Sequence, residues 1–319
     1  MRSRILLVVC VCLALSACSG SRDAAGAGPR RLRFMVIPKA IDLPVFNYAK
    51  IGAERQAKAY GNVDILWHGP TSADQLKQKE ILESAITQKV DGIAISTLNG
   101  DFLTETINKA MDAGIPVVTW DSDAPKSRRI AFYGVDDFAG GRILGEQTVK
   151  LLGGKGTVAI ITSVGATNLQ RRLEGMKEAL AKAPGIRIVE VFDIKEDTVR
   201  CAELIATGTN RYRDLAAWMS TGGWPVFTRS ASAAIDPAKT KLVAFDTIQP
   251  ALDLVREGKV AVLVGQKYFG WGSEPVKLLY DITQGKMPPR TIIDSGLDVV
   301  TRENVEDYVL LWKKMESGG

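Results

Sequence analysis

Short apolar runs alternate with amphipathic segments along most of the chain, and this alternation predicts its secondary structure. In the first part, the helix-like segments place apolar residues on one face, and Ser72 with Gln75 has capping-box spacing. Nearly continuous apolar strands joined by helices are typical of a parallel sheet that is covered on both faces. The predicted strands of this first series are 33–37, 63–67, 92–96 and 116–120.

The same alternation restarts after residue 156, with predicted strands at 157–161, 186–191, 215–219, 241–245 and 260–264. Two such series predict an α/β fold of two doubly wound parallel-sheet lobes, joined by a hinge that the chain crosses several times. We expect the crossings near 135–136, 266–267 and 296–297. The first lobe then comprises 32–135 plus 267–296, and the second comprises 136–266 plus 297–319. A ligand is expected between the lobes, beyond the carboxyl ends of the strands.

The start of the chain predicts an export signal and not a part of the fold. A cationic beginning is followed by an apolar run at 5–15, too short to span a bilayer, and then by Leu15-Ser16-Ala17-Cys18, which has the form of a lipobox. We interpret 1–17 as a signal peptide and Cys18 as a lipid-modified N-terminus. Residues 18–31 then form a flexible tether. A cleaved signal without lipid, or a short anchor helix, is the alternative.

Charge and cysteine content exclude several classes of protein. The formal net charge of +5 is small and evenly spread, which argues against a nucleic-acid surface. Cys201 is the one cysteine beyond Cys18, so no intrachain disulfide is expected, and a thiol on a helix face is its interpretation.

Enzyme motifs are also missing. Gly153-Gly154 precedes a strand instead of opening a helix, and therefore indicates a helix stop and not a phosphate loop. His68 is the single histidine, which we interpret as a polar loop residue or a cleft contact, and no Cys/His cluster is present for a metal. We expect neither catalysis nor a cofactor.

Polar and aromatic side chains gather where predicted strands end. Carboxylate, guanidinium and amide groups grip adjacent hydroxyls, and an aromatic face covers the apolar side of a sugar ring. Such a set predicts a cleft that binds a polyol. The predicted ligand-binding residues are Lys39, Phe46, Asp121, Arg172, Trp224, Asp246 and Gln266.

Simpler interpretations exist for each residue taken alone. Asp121 and Asp246 could cap helices, because Asp favours that position. Arg172 could be a solvated charge on a helix, and Lys39 an exposed loop lysine. Trp120 lies inside a predicted strand and fits the core better than a ligand contact. The joint occurrence of these residues at strand ends favours the binding interpretation.

Several motifs resemble those of the type I periplasmic sugar-binding proteins of ABC importers, in particular the ribose-, rhamnose- and autoinducer-binding proteins. They are Ile37-Pro38-Lys39 with Phe46, Thr119-Trp120-Asp121-Ser122-Asp123, Val243-Ala244-Phe245-Asp246 and Gly265-Gln266. The resemblance covers nearly the whole chain after the tether. It implies that the charged and amide residues predicted above hold sugar hydroxyls.

The chain departs from the ribose-binding pattern at two places. Gly222-Gly223-Trp224 stands where ribose binders have an Asn-Asp pair, and Val45 replaces one of two phenylalanines. These departures leave the identity of the sugar open.

The expected protein is a monomeric lipoprotein in the periplasm or at the cell surface, anchored to the membrane by its N-terminal lipid. It closes over a monosaccharide or related polyol and delivers it to an ABC permease. An alternative with the same fold is a sensor that presents a bound sugar or signal molecule to a membrane receptor.

Overall fold

A computed structural model describes residues 30–317. The predicted signal peptide, Cys18 and residues 18–29 of the predicted tether lie outside the described residues. The strands are β1 (Leu32–Ile37), β2 (Val63–Trp67), β3 (Gly92–Ile95), β4 (Val117–Trp120), β5 (Ala131–Gly134), β6 (Lys155–Thr162), β7 (Gly185–Asp193), β8 (Leu215–Ser220), β9 (Lys241–Phe245), β10 (Val262–Gly265), β11 (Ile292–Asp294) and β12 (Asp298–Val300). The helices are α1 (Val45–Tyr60), α2 (Gln75–Thr87), α3 (Gly100–Asp112), α4 (Asp137–Leu152), α5 (Thr167–Ala181), α6 (Thr198–Arg211), α7 (Gln249–Arg256), α8 (Gly270–Thr283) and α9 (Val305–Ser317), with a 3₁₀ turn at Trp224–Val226.

The strands form two six-stranded sheets, ordered β11-β5-β4-β3-β1-β2 and β12-β10-β9-β8-β6-β7. Every pairing is parallel except that of β12 with β10. The predicted fold class, two doubly wound α/β lobes, is therefore confirmed. We call the first sheet with its helices the first lobe, and the second sheet with its helices the second lobe.

Sequence reasoning missed three strands. Strands β11 and β12 have three residues each, which is too few to show a periodic pattern. Strand β5, which was also missed, has four buried residues. Strands β11 and β12 lie at sheet edges, and the chain reaches them after the last long strand. It passes from the first sheet to the second after β5, returns for β11, and joins the second sheet again at β12.

Helix ends follow local capping chemistry, with one correction to the sequence analysis. Helix α2 begins after Asp74, whose Oδ1 accepts hydrogen bonds from the backbone amides of Leu76 (2.8 Å) and Lys77 (3.0 Å). The predicted cap at Ser72 is therefore wrong, because the carboxylate two residues later satisfies the amides of the first turn. Gly153 ends α4 with a left-handed backbone at φ 62°, as a helix stop requires.

Two glycines let helices approach closely enough to place site residues. A Cβ on Gly141 of α4 would lie 1.9 Å from the carbonyl oxygen of Arg172 on α5. A Cβ on Gly272 of α8 would lie 1.8 Å from the carbonyl oxygen of Ala49 on α1. Any side chain at either position would push its helix away, and Arg172 or the neighbouring Trp271 would shift with it.

Between residues 30 and 317, no helix is long and apolar enough to cross a membrane. Within the same range, no three His, Cys, Asp or Glu side chains are grouped to hold a metal ion. Cys201 is fully buried on α6, and burial raises the pKa of its thiol to about 12, so the thiolate is strongly disfavoured.

Candidate functional site

One cavity lies between the carboxyl ends of the two sheets, and it brings together all seven residues that the sequence predicted. Its empty volume is about 360 Å³. Strand-end loops, α1, α5, the 3₁₀ turn and the start of α8 supply its walls. The lining residues are Lys39, Leu43, Val45, Phe46, Asp121, Asn168, Leu169, Arg172, Glu196, Gly222, Gly223, Trp224, Phe227, Asp246, Gln266 and Trp271.

An ion pair between Lys39 and Asp121 forms the polar wall of the first lobe. Lys39 Nζ lies 3.1 Å from Asp121 Oδ2, and the same oxygen accepts a hydrogen bond of 2.6 Å from Ser96 Oγ. Lys39 also donates to Asn168 Oδ1 of the second lobe at 3.1 Å. Both members of the pair are buried, so Lys39 is a cavity residue and not an exposed loop lysine.

Arg172 is the fixed cation of the second lobe. Its Nε donates to Asp137 Oδ1 at 2.8 Å, and its two terminal nitrogens donate to Thr221 O and to Gln266 Oε1, both at 3.1 Å. Its guanidinium carbon lies 4.1 Å from the centroid of the Phe245 ring. Arg172 is therefore buried and held from several sides, and it is not a solvated helix charge.

Burial controls the charge state of the Asp137–Arg172 pair. It raises the pKa of the Asp137 carboxyl to about 6, although the neighbouring Arg172 acts in the opposite direction. The pKa of Arg172 is raised: burial disfavours its cation, and the carboxylates of Asp137 and Asp246 outweigh that effect. The guanidinium therefore stays charged, and Asp137 is the member of the pair that titrates.

One carboxylate oxygen of Asp246 accepts hydrogen bonds from protein side chains, and the other lies near Gly223, which lines the cavity. Asp246 Oδ1 accepts from Tyr268 Oη at 3.1 Å and from Gln266 Nε2 at 3.4 Å. Its Oδ2 faces Gly223, where a Cβ would come within 2.7 Å. Burial is the main cause that raises the pKa of Asp246.

Neither aspartate is a helix cap. Helix α7 is capped by Ile248, and the chain runs from Asp121 to β5 without a helix. Both aspartates have left-handed backbone, with φ of 58° for Asp121 and 77° for Asp246. Asp tolerates this conformation better than most residues, and the turn it makes aims each carboxylate away from its strand.

Aromatic side chains close the apolar side of the cavity. Trp224 starts the 3₁₀ turn and lies against Gly222, where a Cβ would come within 2.3 Å of the indole ring. Phe46 and Trp271 also line the cavity, and their ring centroids are 6.1 Å apart. Trp120 packs edge-on against Phe46 at 5.7 Å and is fully buried, as its position inside a strand predicted.

Sequence reasoning missed Leu43, Leu169, Glu196, Phe227 and Trp271 as lining residues. Phe227 belongs to the turn after Trp224, and Trp271 reaches the cavity from α8. Trp271 follows the predicted lobe crossing at 266–267 by a few residues, and this position could have indicated that it lies near the cavity. His68, in contrast, is exposed and does not line the cavity.

The two lobes touch at the rim of the cavity. The backbone amide of Thr167 donates to Leu98 O at 3.2 Å, and Thr167 Oγ1 accepts from the amide of Gly100 at 3.1 Å. Together with the contact between Lys39 and Asn168, these bonds hold the lobes in a closed arrangement around a small space that is rich in hydroxyl-matching groups.

Comparison with known proteins agrees with this arrangement. The profile of the periplasmic binding protein domain matches residues 34–287. The D-ribose/D-allose-binding protein of Pseudomonas aeruginosa is 27% identical over 277 residues, covering 83% of this chain and 86% of that protein. Two solved structures are also similar, and in each case the match covers nearly the whole length of the other chain.

A solute-binding protein of an ABC transporter from Burkholderia graminis, solved with D-arabinose, has a TM-score of 0.81 and 32% identity, covering 88% of this chain and 98% of the other. GanP, a glucose-galactose binding protein from Geobacillus stearothermophilus, has a TM-score of 0.80 and 30% identity, covering 86% and 99%. The chain therefore belongs to the type I periplasmic sugar-binding proteins of ABC importers.

Proposed function

We propose that this protein binds a monosaccharide or related polyol in the cavity between its lobes and delivers it to an ABC permease, while a lipid on Cys18 holds it at the membrane. The observation that carries the proposal is the convergence of Lys39, Asp121, Asp246 and Gln266 on one small, aromatic-walled space. Paired donors and acceptors of this kind match adjacent hydroxyls.

The relatives support a sugar ligand but differ among themselves. They are named for, or were solved with, D-ribose and D-allose, D-arabinose, and glucose and galactose. In this chain, Gly222, Gly223 and Trp224 shape the wall where an extra side chain would collide with the indole or with Phe227. We therefore propose the class of ligand, a small uncharged polyol, and not a particular sugar.

Closure of the lobes is the proposed basis of delivery. A ligand that touches both lobes favours the closed state by its differential affinity for the two states. We propose that the three crossings near 135–136, 266–267 and 296–297 form the hinge, because the chain changes sheets there. The hydrogen bonds of Thr167 at the rim would then form only on closure.

A thermal-shift panel tests the proposed ligand class. A solute at a hundredfold excess over Kd stabilises the folded protein by about 2.7 kcal/mol, which corresponds to a rise in melting temperature of about 4–8 °C. We expect one or a few related hits among aldopentoses, aldohexoses, deoxysugars, polyols and cyclitols, and none among NAD, ATP and amino acids. A shift with a nucleotide and none with any polyol would overturn the proposal.

Lipid attachment is tested separately at Cys18. Cells that express the wild-type chain are expected to label it with radioactive palmitate, whereas the Cys18→Ala variant should carry no label, because the acceptor thiol is gone. Cys201→Ala serves as the matched control and should keep the label, since that thiol is buried in the second lobe. Equal labelling of wild type and Cys18→Ala would disprove the anchor.

A further inference from the structure

Glu196 occupies a turn that points its side chain inward. The turn connects β7 to α6, and both Lys195 and Glu196 have left-handed backbone, with φ of 52° and 56°. Asp193 Oδ1 holds one side by accepting from the amide of Lys195 at 3.0 Å, and Asp197 caps α6 on the other. The backbone is therefore fixed on both sides of Glu196, and its two neighbours are exposed while it lines the cavity.

The carboxylate of Glu196 lacks a protein partner for one oxygen. Its Oε1 is shielded from solvent and accepts no hydrogen bond from the described residues. Burial is the main cause that raises the pKa of this carboxyl, and the positive charge of Lys39 is the largest effect in the opposite direction. The negative charges of Asp121 and Asp42 raise this pKa further, whereas the positive charge of Arg172 lowers it. A buried acceptor in this state destabilises the folded protein unless a ligand satisfies it.

Some carboxylates of the cavity form salt bridges with a cation, and others do not. Lys39 is paired with Asp121, and Arg172 is paired with Asp137. Two further carboxylates, those of Asp246 and Glu196, line the same space without a salt bridge to a cation of the described chain. An anionic group brought into this space would meet these carboxylates at close range and in a poorly solvated environment.

We propose that Glu196 is a ligand-binding residue that accepts a hydrogen bond from a hydroxyl of the bound polyol, and that together with Asp246 it excludes anionic sugars such as uronic acids. This inference rests on the proposed function, because it assigns a contact within the same cavity. The alternative is a structural role for Glu196, in which the carboxylate stabilises the turn and does not affect ligand affinity.

The test uses two variants of the full chain, with Glu54→Gln as a matched control. Glu54 is an exposed carboxylate of α1 whose contact with Lys50 is long, at 3.8 Å. The probes are D-ribose, D-allose, D-arabinose, D-glucose and D-galactose, together with D-glucuronate and D-galacturonate. Affinities come from calorimetry, and melting temperatures are recorded without a ligand.

Wild type is expected to bind at least one neutral probe and neither uronate. Glu196→Leu should bind that neutral probe at least tenfold more weakly and yet melt no lower than wild type, because it loses an acceptor that only the ligand satisfies. Glu196→Gln should keep the neutral probe within about tenfold and bind the uronates at least tenfold better than wild type does. Glu54→Gln should match wild type in every measurement.

Each contrary result has a distinct meaning. Unchanged affinity of Glu196→Leu, or lower melting temperatures of both ligand-free variants with unchanged affinity, would make Glu196 a structural residue and overturn the inference alone. Binding of a uronate by wild type as tightly as the neutral sugars would also overturn it. If wild type binds none of the probes and no other polyol of the wider panel, the proposed function fails, and the inference fails with it.

Discussion

Replacing Asp121 or Asp246 by asparagine is expected to weaken binding of the cognate polyol by about 10- to 100-fold. A hydrogen bond to a charged group contributes about 1.5–3 kcal/mol, and loss of the carboxylate leaves ligand hydroxyls facing an amide that donates where they also donate. Asparagine is the suitable substitute because it tolerates the left-handed backbone of both positions, at φ 58° and 77°. Isothermal calorimetry measures the change directly.

The matched control is Asp112→Asn, which removes an exposed carboxylate that pairs with Arg128 on the surface of the first lobe. It is expected to bind as wild type does, within experimental error. Circular dichroism should show that all three variants are folded. If both cavity variants bind as tightly as wild type, the cavity between the lobes is not the ligand site.

The Arg172→Leu substitution is expected to lower the free energy of unfolding by about 3–5 kcal/mol at pH 7. It removes the cation from a buried pair and leaves the Asp137 carboxyl with no opposing charge. At pH 7 the folded variant must therefore either bury an uncompensated carboxylate or hold a proton that the unfolded chain has released, and both are costly. The double variant Arg172→Leu with Asp137→Leu should recover most of the loss, since it removes both charges. Urea unfolding of the ligand-free protein measures all three.

The cost of Arg172→Leu should be smaller at pH 5 than at pH 7. Burial raises the pKa of Asp137 to about 6 even beside Arg172, and loss of the cation raises it further. Between the unfolded and the folded pKa, the folded chain holds a proton that the unfolded chain has released, so stability rises as the pH falls through that window.

Arg171→Leu is the control for this experiment. Arg171 is the adjacent residue of α5, but it is exposed and pairs with Glu174 at 2.6 Å within its own helix. Its loss should change stability by less than about 1 kcal/mol at either pH. If both substitutions lower the free energy of unfolding by the same amount, the buried pair of Arg172 and Asp137 contributes no more to stability than an exposed pair does.

Most of the fold could be predicted because long buried strands leave a continuous apolar signal. Strands such as β1 and β9 have a neighbouring strand on both sides, are almost wholly buried, and were predicted to within a residue at each end. Strands β11 and β12 gave no such signal, since three residues at a sheet edge are partly exposed and carry mixed side chains. Their place depends on pairing partners far away in the sequence.

Site residues could be predicted from the sequence where they directly follow a strand. They could not be predicted where the conformation of a turn determines which side chain points into the cavity. Asp246 directly follows β9, and the parallel sheet alone places it at the edge where the carboxyl ends of the strands meet. Glu196 lies in a charged stretch beside exposed Lys195 and Asp197, and nothing in this residue pattern distinguishes the side chain that lines the cavity from its outward neighbours. Trp271 reaches the cavity because α8 packs against α1, although most of the second lobe lies between these two helices in the sequence.

The late return of the chain to the first lobe affects the order in which the protein can fold. Strand β11 pairs with β5 through Ile292 and Phe132, and α8 covers the first sheet beside α1. The first lobe therefore keeps an open edge and an uncovered apolar face until the ribosome has made almost all of the polypeptide. Contacts of such long sequence separation form slowly. Delayed completion favours a loose nascent chain, the form in which a protein with the predicted export signal can be threaded across a membrane before it folds.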